Sequence, residues 1–229
     1  MTTLLIDADI VCYRCAASAE DENLDVAIMR TDNMMMELML FGDKQLSFLS
    51  GPNNFRKIIN PDYKANRKDI VKPQYLNDCK QYLIDEYKAI TTDGYEADDA
   101  LGFHQTEETV ICSIDKDLLM IPGHHYNFVK KEYHEVSELD GLKAFYRQML
   151  IGDSSDNVFG VKGIGKVKAA KLIDHLNNEK DMFHTVENLY FPWDENETKR
   201  FWNNADCLWI MRKERERFSN RYENNQTNS

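Results

Sequence analysis

The 229-residue sequence lacks any long apolar segment. No run of apolar residues approaches the roughly 20 needed to cross a bilayer, so we expect no membrane partner. The N-terminal residues Met1–Thr3 lead directly into the apolar run Leu4–Asp7, without the basic and apolar regions of a signal peptide. These absences predict a cytoplasmic protein.

Cysteines are few and form no recognisable disulfide or zinc pattern. Their number is five, and an odd number suits a reducing compartment better than a disulfide framework. Cys12 and Cys15 form a lone Cys-x-x-Cys motif, which neither a second such pair nor a spaced histidine pair completes. We therefore interpret these thiols as structural.

The sequence also lacks the basic excess that usually accompanies binding to nucleic acid. Its formal net charge is −11 at pH 7, and its pI is about 5.0. The acids are unevenly distributed, however, because many of them lie in four short clusters that leave the remainder nearly balanced. The net charge therefore does not exclude nucleic acid as a partner.

Apolar residues recur along the chain with the spacing of strands and helices in alternation. The predicted strands are 3–7, 45–49 and 109–114, and the predicted helices are 23–41, 75–87, 137–151 with Ser137 as N-cap, 166–176 and 198–217. This order predicts a single α/β domain over residues 1–229, with a mainly parallel central sheet flanked by helices. We expect a C-terminal helical segment over 193–217 and a flexible tail over 218–229.

Four acidic clusters follow predicted strands or begin predicted helices: Asp7 with Asp9, Glu96 with Asp98 and Asp99, Asp115 with Asp117, and Asp153 with Asp156. Ligands lie beyond the carboxyl ends of parallel strands, where these acids would repel one another unless cations compensated them. Oxygen ligands without His or Cys select Mg²⁺ or Mn²⁺, and two such ions can hold both reacting oxygens of a phosphodiester. A helix cap or surface acid explains any one pair, but four clusters in this order favour a metal site.

Three motifs carry a family resemblance: Phe55-Arg56-Lys57 with Tyr63-Lys64-Ala65-Asn66-Arg67, then 94–100, then 152–157 running into 160–165. In this order they resemble the 5′ nuclease superfamily, which includes phage 5′ nucleases, ribonuclease H-type exonucleases, the 5′ nuclease domain of DNA polymerase I and flap endonucleases. The resemblance implies a PIN-like fold and a monomeric, metal-dependent hydrolase. Its implied substrates are DNA 5′ ends, flaps and nicks, and RNA–DNA hybrids, in the host cytoplasm if the chain is phage-encoded.

The resemblance also implies roles for individual residues. Lys64 and Arg67, at the base of a short helical arch over residues 63–95, would contact the scissile phosphate and stabilise its developing charge. Tyr63 would stack on the terminal base. Taken alone, Lys64 and Arg67 could equally form a solvated basic turn. The implied metal ligands are Asp7, Glu96, Asp98, Asp99, Asp115, Asp117, Asp153 and Asp156, with Asp9 behind them.

Residues 137–177 resemble the family's helix–three-turn–helix, a motif that binds duplex DNA without reading its sequence. Gly163 and Gly165 would let backbone N–H groups approach a phosphate at a helix N-terminus, and Lys162, Lys166 and Lys168 would add positive charge. In the family a K⁺ ion can bridge this turn and the phosphate. The turn by itself could also be a simple helix connection.

Two departures from the family pattern leave alternatives open. Ser50 stands where the family commonly has Asp after the second strand, and this predicts a weakened metal site. The arch segment is short, and Pro73 restricts helix formation near its start, so both exonuclease and flap endonuclease action remain open. The alternative functions are a PIN-type ribonuclease and a junction-binding protein with an impaired metal site.

Overall fold

The structure, a computed structural model, describes residues 1–190 and 195–227. Its strands are β1 Thr3–Asp7, β2 Lys44–Leu49, β3 Ile90–Thr91, β4 Thr109–Cys112, β5 Gly123–Asn127, β6 Glu132–Val136, β7 Gly152–Asp153 and β8 Val158–Phe159. Six of them form one sheet in the order β3-β2-β1-β4-β5-β6, in which all neighbours are parallel except β5 and β6. The last two form a small hairpin.

Helices cover both faces of this sheet. They are α1 Ala8–Ser18, α2 Leu24–Met39, α3 Arg56–Ile59, α4 Leu76–Tyr87, α5 Ala97–His104, α6 Glu138–Ile151, α7 Lys166–Ile173, α8 Glu179–Leu189, α9 Glu195–Leu208 and α10 Phe218–Thr227, with short 3₁₀ helices at Ala65–Arg67 and Asp117–Met120. None of the helices in the described ranges is long and apolar enough to span a membrane.

Strand β1 lies at the centre of the sheet, and its sequence explains the two layers of helices. Successive side chains of a strand point to opposite faces. Leu5 packs in the core that contains α5 and α6, whereas Leu4 and Ile6 pack in the core that contains α1, α2 and α4. A strand buried on both faces must be apolar at consecutive positions, as these three residues are. Asp7 then marks the carboxyl edge of the sheet.

The predicted fold class, a mainly parallel sheet flanked by helices, is confirmed. The three predicted strands coincide with β1, β2 and β4 to within two residues. Ser137 caps α6 as predicted, because its hydroxyl accepts a hydrogen bond from the N–H of Asp140 at 3.1 Å. Helix α1 and the hairpin of β5 and β6 were not predicted: α1 follows β1 without a loop, and β6 is largely polar and exposed.

The middle of the predicted arch region, residues 63–95, is a helix that packs against the rest of the domain. Helix α4 buries Leu76, Cys79 and Leu83 in the core that it shares with α1 and α2. These residues recur at helical spacing, so they form one apolar face that the neighbouring helices cover. The predicted helix 75–87 is confirmed as α4, and it packs against the domain, whereas residues 68–72 are exposed and contain no helix.

The C-terminal predictions are wrong in two respects. Helix α9 ends at Leu208 rather than at 217, because the chain from Trp209 to Met211 leaves the helix and binds buried polar groups of α3 and α5. The predicted flexible tail instead contains α10, whose Phe218 is fully buried and lies 4.7 Å from the ring of Phe145. One aromatic residue per turn anchors this polar helix. Residues 193, 194, 228 and 229 lie outside the described residues.

We predict that Phe218→Ala lowers the free energy of unfolding by about 3–5 kcal/mol, because it leaves a cavity among buried aromatic rings. Urea unfolding followed by circular dichroism measures this loss. The matched control is Asn220→Ala, at an exposed position of the same helix. Equal stability of the two variants would mean that α10 does not pack against the domain.

Candidate active site

A pocket of about 330 Å³ opens where β1, β2 and β4 end. Its wall also contains Asp9, Tyr63, Lys64 and Arg67. The parallel sheet thus gathers acids from four distant segments of the chain at one edge, as the sequence predicted. Seven of the eight predicted metal ligands line this pocket: Asp7, Glu96, Asp98, Asp115, Asp117, Asp153 and Asp156.

Adjacent strand ends position the first group of acids. Asp7 caps α1 by accepting the N–H of Ile10 at 3.2 Å, and its other oxygen accepts the hydroxyl of Ser113 at 2.7 Å. Ser113 follows β4, and its hydroxyl also accepts the N–H of Asp115 at 3.0 Å. The carboxylate of Asp115 in turn accepts the N–H of Asp117 at 2.9 Å. One hydroxyl therefore connects the acids of β1 to those that follow β4.

The first turn of α5 provides the second group. Glu96 and Asp99 form a reciprocal capping box at the helix start. The N–H of Ala97 donates to the hydroxyl of Ser50 at 3.0 Å, which fixes this turn to the end of β2. Asp98 and Glu96 thereby line the pocket. Ser50 stands where the family commonly has Asp, and its hydroxyl holds the first turn of α5 through this hydrogen bond.

The turn between β7 and β8 provides the last two acids. One oxygen of Asp153 accepts the N–H of Ser155 at 2.7 Å and its hydroxyl at 2.6 Å. Burial opposes ionisation of Asp153, but these hydrogen bonds outweigh it and lower its pKa. The turn is tied to the basic motif, because the N–H of Lys64 donates to the carbonyl of Asp156 at 2.9 Å. This backbone hydrogen bond fixes the position of Lys64 relative to the turn that carries Asp153 and Asp156.

Burial and like charge oppose ionisation of several of these acids. The pKa of Asp7 is raised from 3.8 to about 7, first by burial and then by the charges of Asp9 and Asp115, against the hydrogen bond from Ser113. Burial, followed by the charges of Asp7 and other acids, also raises the pKa of Asp98. A nearby cation would relieve this cost.

Protein cations compensate other acids of the pocket. Lys64 binds Glu96, and its Nζ lies 3.7 Å from Asp156, which Arg67 contacts at 2.6 Å. Burial disfavours the charged form of Glu96, but Lys64 and Arg56 outweigh that effect and lower its pKa. The basic residues predicted from the motif therefore do enter the site.

Lys80 of α4 compensates a further acid. Its Nζ lies 2.5 Å from Asp9, whose second oxygen accepts the N–H of Ser50 at 2.7 Å. By contrast, Asp7, Asp98 and Asp115 form no ion pair with any residue of 1–190 or 195–227. The pocket therefore combines acids that protein cations neutralise with acids that they leave unpaired.

The prediction that Asp99 is a metal ligand is wrong. Its side chain is fully buried, and its two oxygens accept hydrogen bonds from the guanidinium of Arg56 at 2.6 and 2.8 Å. Arg56 donates further to the carbonyls of Cys207 and Trp209. Adjacent helix positions point about 100° apart, so Asp98 faces the pocket and Asp99 faces the core.

The predicted stacking role of Tyr63 is also contradicted. Only 3% of this residue is exposed, and its hydroxyl lies 2.9 Å from Glu96 and 2.7 Å from Asp156. Burial raises the pKa of the phenol, which therefore stays protonated and donates a hydrogen bond to the acids. A buried ring has no free face on which a base could stack, so Tyr63 holds the acids in position.

The predicted DNA-contacting turn does not line this pocket. Lys162, Gly163, Gly165, Lys166 and Lys168 are exposed, and Gly165 precedes the first residue of α7. Gly163 has a left-handed backbone with φ of 80°, and no atom lies within 4 Å of a Cβ built at either glycine. The turn therefore presents an open backbone beside three lysines.

The donor chemistry of the pocket fits a hard divalent cation. Its acidic ligands are carboxylates, and burial raises the pKa of its cysteine, Cys207, to about 12, so that this thiol does not offer a thiolate. Within the residues that the structure describes, no three His, Cys, Asp or Glu side chains are arranged to hold one ion. Two of the pocket acids, Glu96 and Asp156, form salt bridges with Lys64 and Arg67.

Sequence reasoning missed three residues that organise the site. Arg56 lies in the Phe55-Arg56-Lys57 motif, but nothing in that motif indicates that its partner is Asp99. Ser113 could have been noticed as the polar residue that follows β4. Lys80 has no sequence signal, because only the packing of α4 against α1 brings it to Asp9.

We predict that Asp7→Asn stabilises the ion-free protein at high pH. The folded-state pKa of Asp7, about 7, exceeds the ordinary 3.8, so the folded state favours the protonated acid and loses stability as pH rises from about 4 to 7. In EDTA above this range, we expect a gain on the order of 3 kcal/mol in urea unfolding. The gain should vanish below the range, and the exposed control Glu107→Gln should show none. Unchanged or lower stability of Asp7→Asn would refute the argument.

Comparison with curated proteins gives relatives named 5′-3′ exonuclease, flap endonuclease and DNA polymerase I, although no family model matches the sequence. A 5′-3′ exonuclease of Buchnera aphidicola is 28% identical over 160 residues, which are 62% of this chain and 56% of that protein. The flap endonuclease Xni of Shewanella pealeana is 27% identical over 157 residues, which are 59% of this chain and 60% of that protein. The chain thus spans less than two thirds of the length of these relatives.

A solved structure shares the fold over a larger part of the chain. The bacteriophage T5 D15 flap endonuclease, in a complex with DNA and metal ions, matches with a TM-score of 0.62 at 17% identity, over 91% of this chain and 86% of that one. This likeness independently supports the α/β architecture. The chain is therefore similar in sequence to a 5′-3′ exonuclease and a flap endonuclease, and it shares the fold of the T5 enzyme.

Proposed function

We propose that this chain is a divalent-metal-dependent 5′ nuclease that hydrolyses phosphodiesters near DNA 5′ ends. The observation that carries the proposal is the pocket wall, in which eight carboxylates from four segments lie together with Lys64 and Arg67. The names of the relatives, 5′-3′ exonuclease and flap endonuclease, support this reaction. The T5 complex with DNA and metal ions supports the substrate and the cofactor.

In this proposal the pocket acids hold two divalent cations, Mg²⁺ or Mn²⁺, directly or through water. Such cations, when bound, supply activation of water for attack on phosphorus and compensation of charge on the leaving oxygen. Asp7, Asp98 and Asp115 are the first candidates, because protein cations leave them unpaired. Ser113 and Ile10 orient Asp7 for this role through their hydrogen bonds.

Lys64 and Arg67 would bind the phosphate. Lys64 has a left-handed backbone with φ of 56°, held by the hydrogen bond of its N–H to Asp156, which directs its ammonium into the pocket. The guanidinium of Arg67 is anchored on the carbonyl of Ser155 at 2.9 Å. An entering phosphodiester would compete with Glu96 and Asp156 for these cations, which would then stabilise charge on the phosphate oxygens.

This competition would couple phosphate binding to cation binding. When the phosphate takes Lys64 and Arg67, the carboxylates of Glu96 and Asp156 lose their ion-pair partners. Two more acids would then be available to divalent cations, whose binding relieves the same repulsion. We therefore expect substrate and metal to increase each other's affinity.

Residues 161–168 would hold the duplex at a second point. The exposed turn offers backbone N–H groups at the start of α7, where a helix N-terminus favours a phosphate. The open space around Gly163 and Gly165 would allow close approach of the DNA backbone. In this proposal the turn would also hold a K⁺ ion, which would add positive charge near the phosphate.

The substrate range follows from the short segment between the basic motif and α4. Residues 68–72 are exposed in this region, and in this proposal they would contact the 5′ strand. We propose action on 5′ ends and nicks, with flaps and RNA–DNA hybrids as further substrates. The cost of unpairing terminal nucleotides, a few kcal/mol, would favour free ends and junctions.

We predict that Asp115→Ala and Asp153→Ala each reduce cleavage by about 100-fold or more, because each removes a carboxylate from the metal pocket. The assay uses 5′-labelled flap, nicked and blunt duplex DNA with Mg²⁺. The control Glu107→Ala removes an exposed acid outside the pocket and should retain activity.

Three outcomes of this assay would reject the proposal. Full activity of both pocket variants would exclude a catalytic metal site at these acids. Binding of junctions without cleavage by the wild-type chain, in Mg²⁺ or Mn²⁺, would favour a junction-binding protein. Cleavage of RNA but not of DNA would favour a PIN-type ribonuclease.

Lys64→Ala should reduce the rate of cleavage by about 100-fold while the circular dichroism spectrum stays unchanged, because the phosphate loses its pocket ammonium. The decisive readout is the single-turnover rate at saturating DNA, which separates chemistry from binding. Lys180→Ala, at an exposed lysine outside the pocket, is the matched control. A wild-type rate for Lys64→Ala would remove this residue from the reaction.

A further inference from the structure

A second pocket, of about 390 Å³, shares no lining residue with the carboxylate pocket. It lies between the C-terminal end of α2, the hairpin of β5 and β6, and Arg14 of α1. Seven of its ten lining residues have apolar or aromatic side chains. The proposed nuclease reaction gives this second pocket no role.

Large apolar side chains at the rim of the second pocket are exposed to water. Leu40 is 83% exposed, Phe41 49% and Val129 46%. The ring of Phe41 lies 5.1 Å from that of Tyr126, which lies 4.7 Å from the ring of Tyr133. Scattered exposed apolar residues are common, but a contiguous group around a concave surface is typical of a binding site.

Two cations lie beside this apolar surface. Arg14 and Lys131 both line the second pocket, and across the described ranges neither forms an ion pair. Lys131 is fixed in the turn after β5 with a left-handed backbone, φ 58°. These two cations therefore place positive charge next to the exposed aromatic residues of the rim, in a chain whose net charge is −11. They complement a ligand that is both apolar and acidic.

We propose that the second pocket docks an acidic peptide segment of a partner protein, with one large apolar side chain in the pocket and carboxylates against Arg14 and Lys131. Met34 in the wall provides a flexible contact of the kind that peptide-binding surfaces use. A nucleic acid fits less well. Glu37 also lines the second pocket and would repel phosphates. Two cations are also too few to bind a run of backbone phosphates.

Methionine-methyl NMR of the full chain tests this proposal with a defined probe. The probe is the acetylated, amidated peptide Asp-Glu-Asp-Phe-Asp-Leu. We expect saturable shifts of the Met34 methyl signal, with Kd on the order of 10–100 μM, and no shift of Met182, which is buried in the other core. Replacement of the peptide's Phe by Ala should abolish saturation.

Charge reversal at the rim tests the acidic part of the proposal. Lys131→Glu should weaken the peptide by about fivefold or more, whereas Lys180→Glu, the same change at an exposed lysine elsewhere, should not. Neither variant should alter DNA cleavage, which also confirms that both fold.

Four results would overturn the proposal. They are the absence of a Met34 shift at millimolar peptide, equal affinity of Lys131→Glu and wild type, shifts with oligothymidylate but not with peptide, and shifts that depend on protein concentration alone. The third result would identify a nucleic acid site, and the fourth a contact between two copies of the chain. Because the peptide assay contains no DNA, its failure leaves the proposed nuclease function unaffected.

Discussion

Repulsion among carboxylates at one edge of the sheet is the constraint on which the arrangement of the pocket depends. A parallel sheet with β1 at its centre brings Asp7 and Asp115 to neighbouring strand ends, while α5 and the turn after β7 add acids from two other segments. Desolvation adds to the free-energy cost of ionising these acids, and the raised pKa values of Asp7 and Asp98 reflect that cost. Each surrounding basic group reduces part of that cost.

The buried pair of Arg56 and Asp99 connects this edge to the C-terminal part of the chain. Arg56 binds both oxygens of Asp99 and also the carbonyls of Cys207 and Trp209, so α3, α5 and the end of α9 meet at one guanidinium. A buried ion pair stabilises little relative to apolar residues, but the loss of one partner leaves an unpaired charge. Its value here is positional, because Asp99 fixes the first turn of α5, from which Asp98 and Glu96 enter the pocket.

The sequence was sufficient for features that local pattern controls. The apolar residues of β1 predicted a buried strand, Ser137 predicted a helix start, and the clustered acids predicted the contents of the pocket. It failed where tertiary packing decides. Spacing places Asp98 and Asp99 on one helix turn, but it does not show that Asp99 is the acid buried against Arg56. Composition predicted a flexible C-terminus, yet Phe218 and Tyr222 give α10 a place in the core.

The division of the acids into paired and unpaired sets has a further consequence for the order in which the proposed site fills. A divalent cation at Asp7, Asp98 and Asp115 would displace no protein cation, whereas one at Glu96 and Asp156 would compete with Lys64 and Arg67. Without a phosphate, the second set is therefore the weaker one. A phosphate that draws the two basic residues away removes this competition. The lysine and arginine would then serve in turn as counterions of the empty pocket and as ligands of the substrate, which explains why they lie among the acids rather than on a separate basic surface.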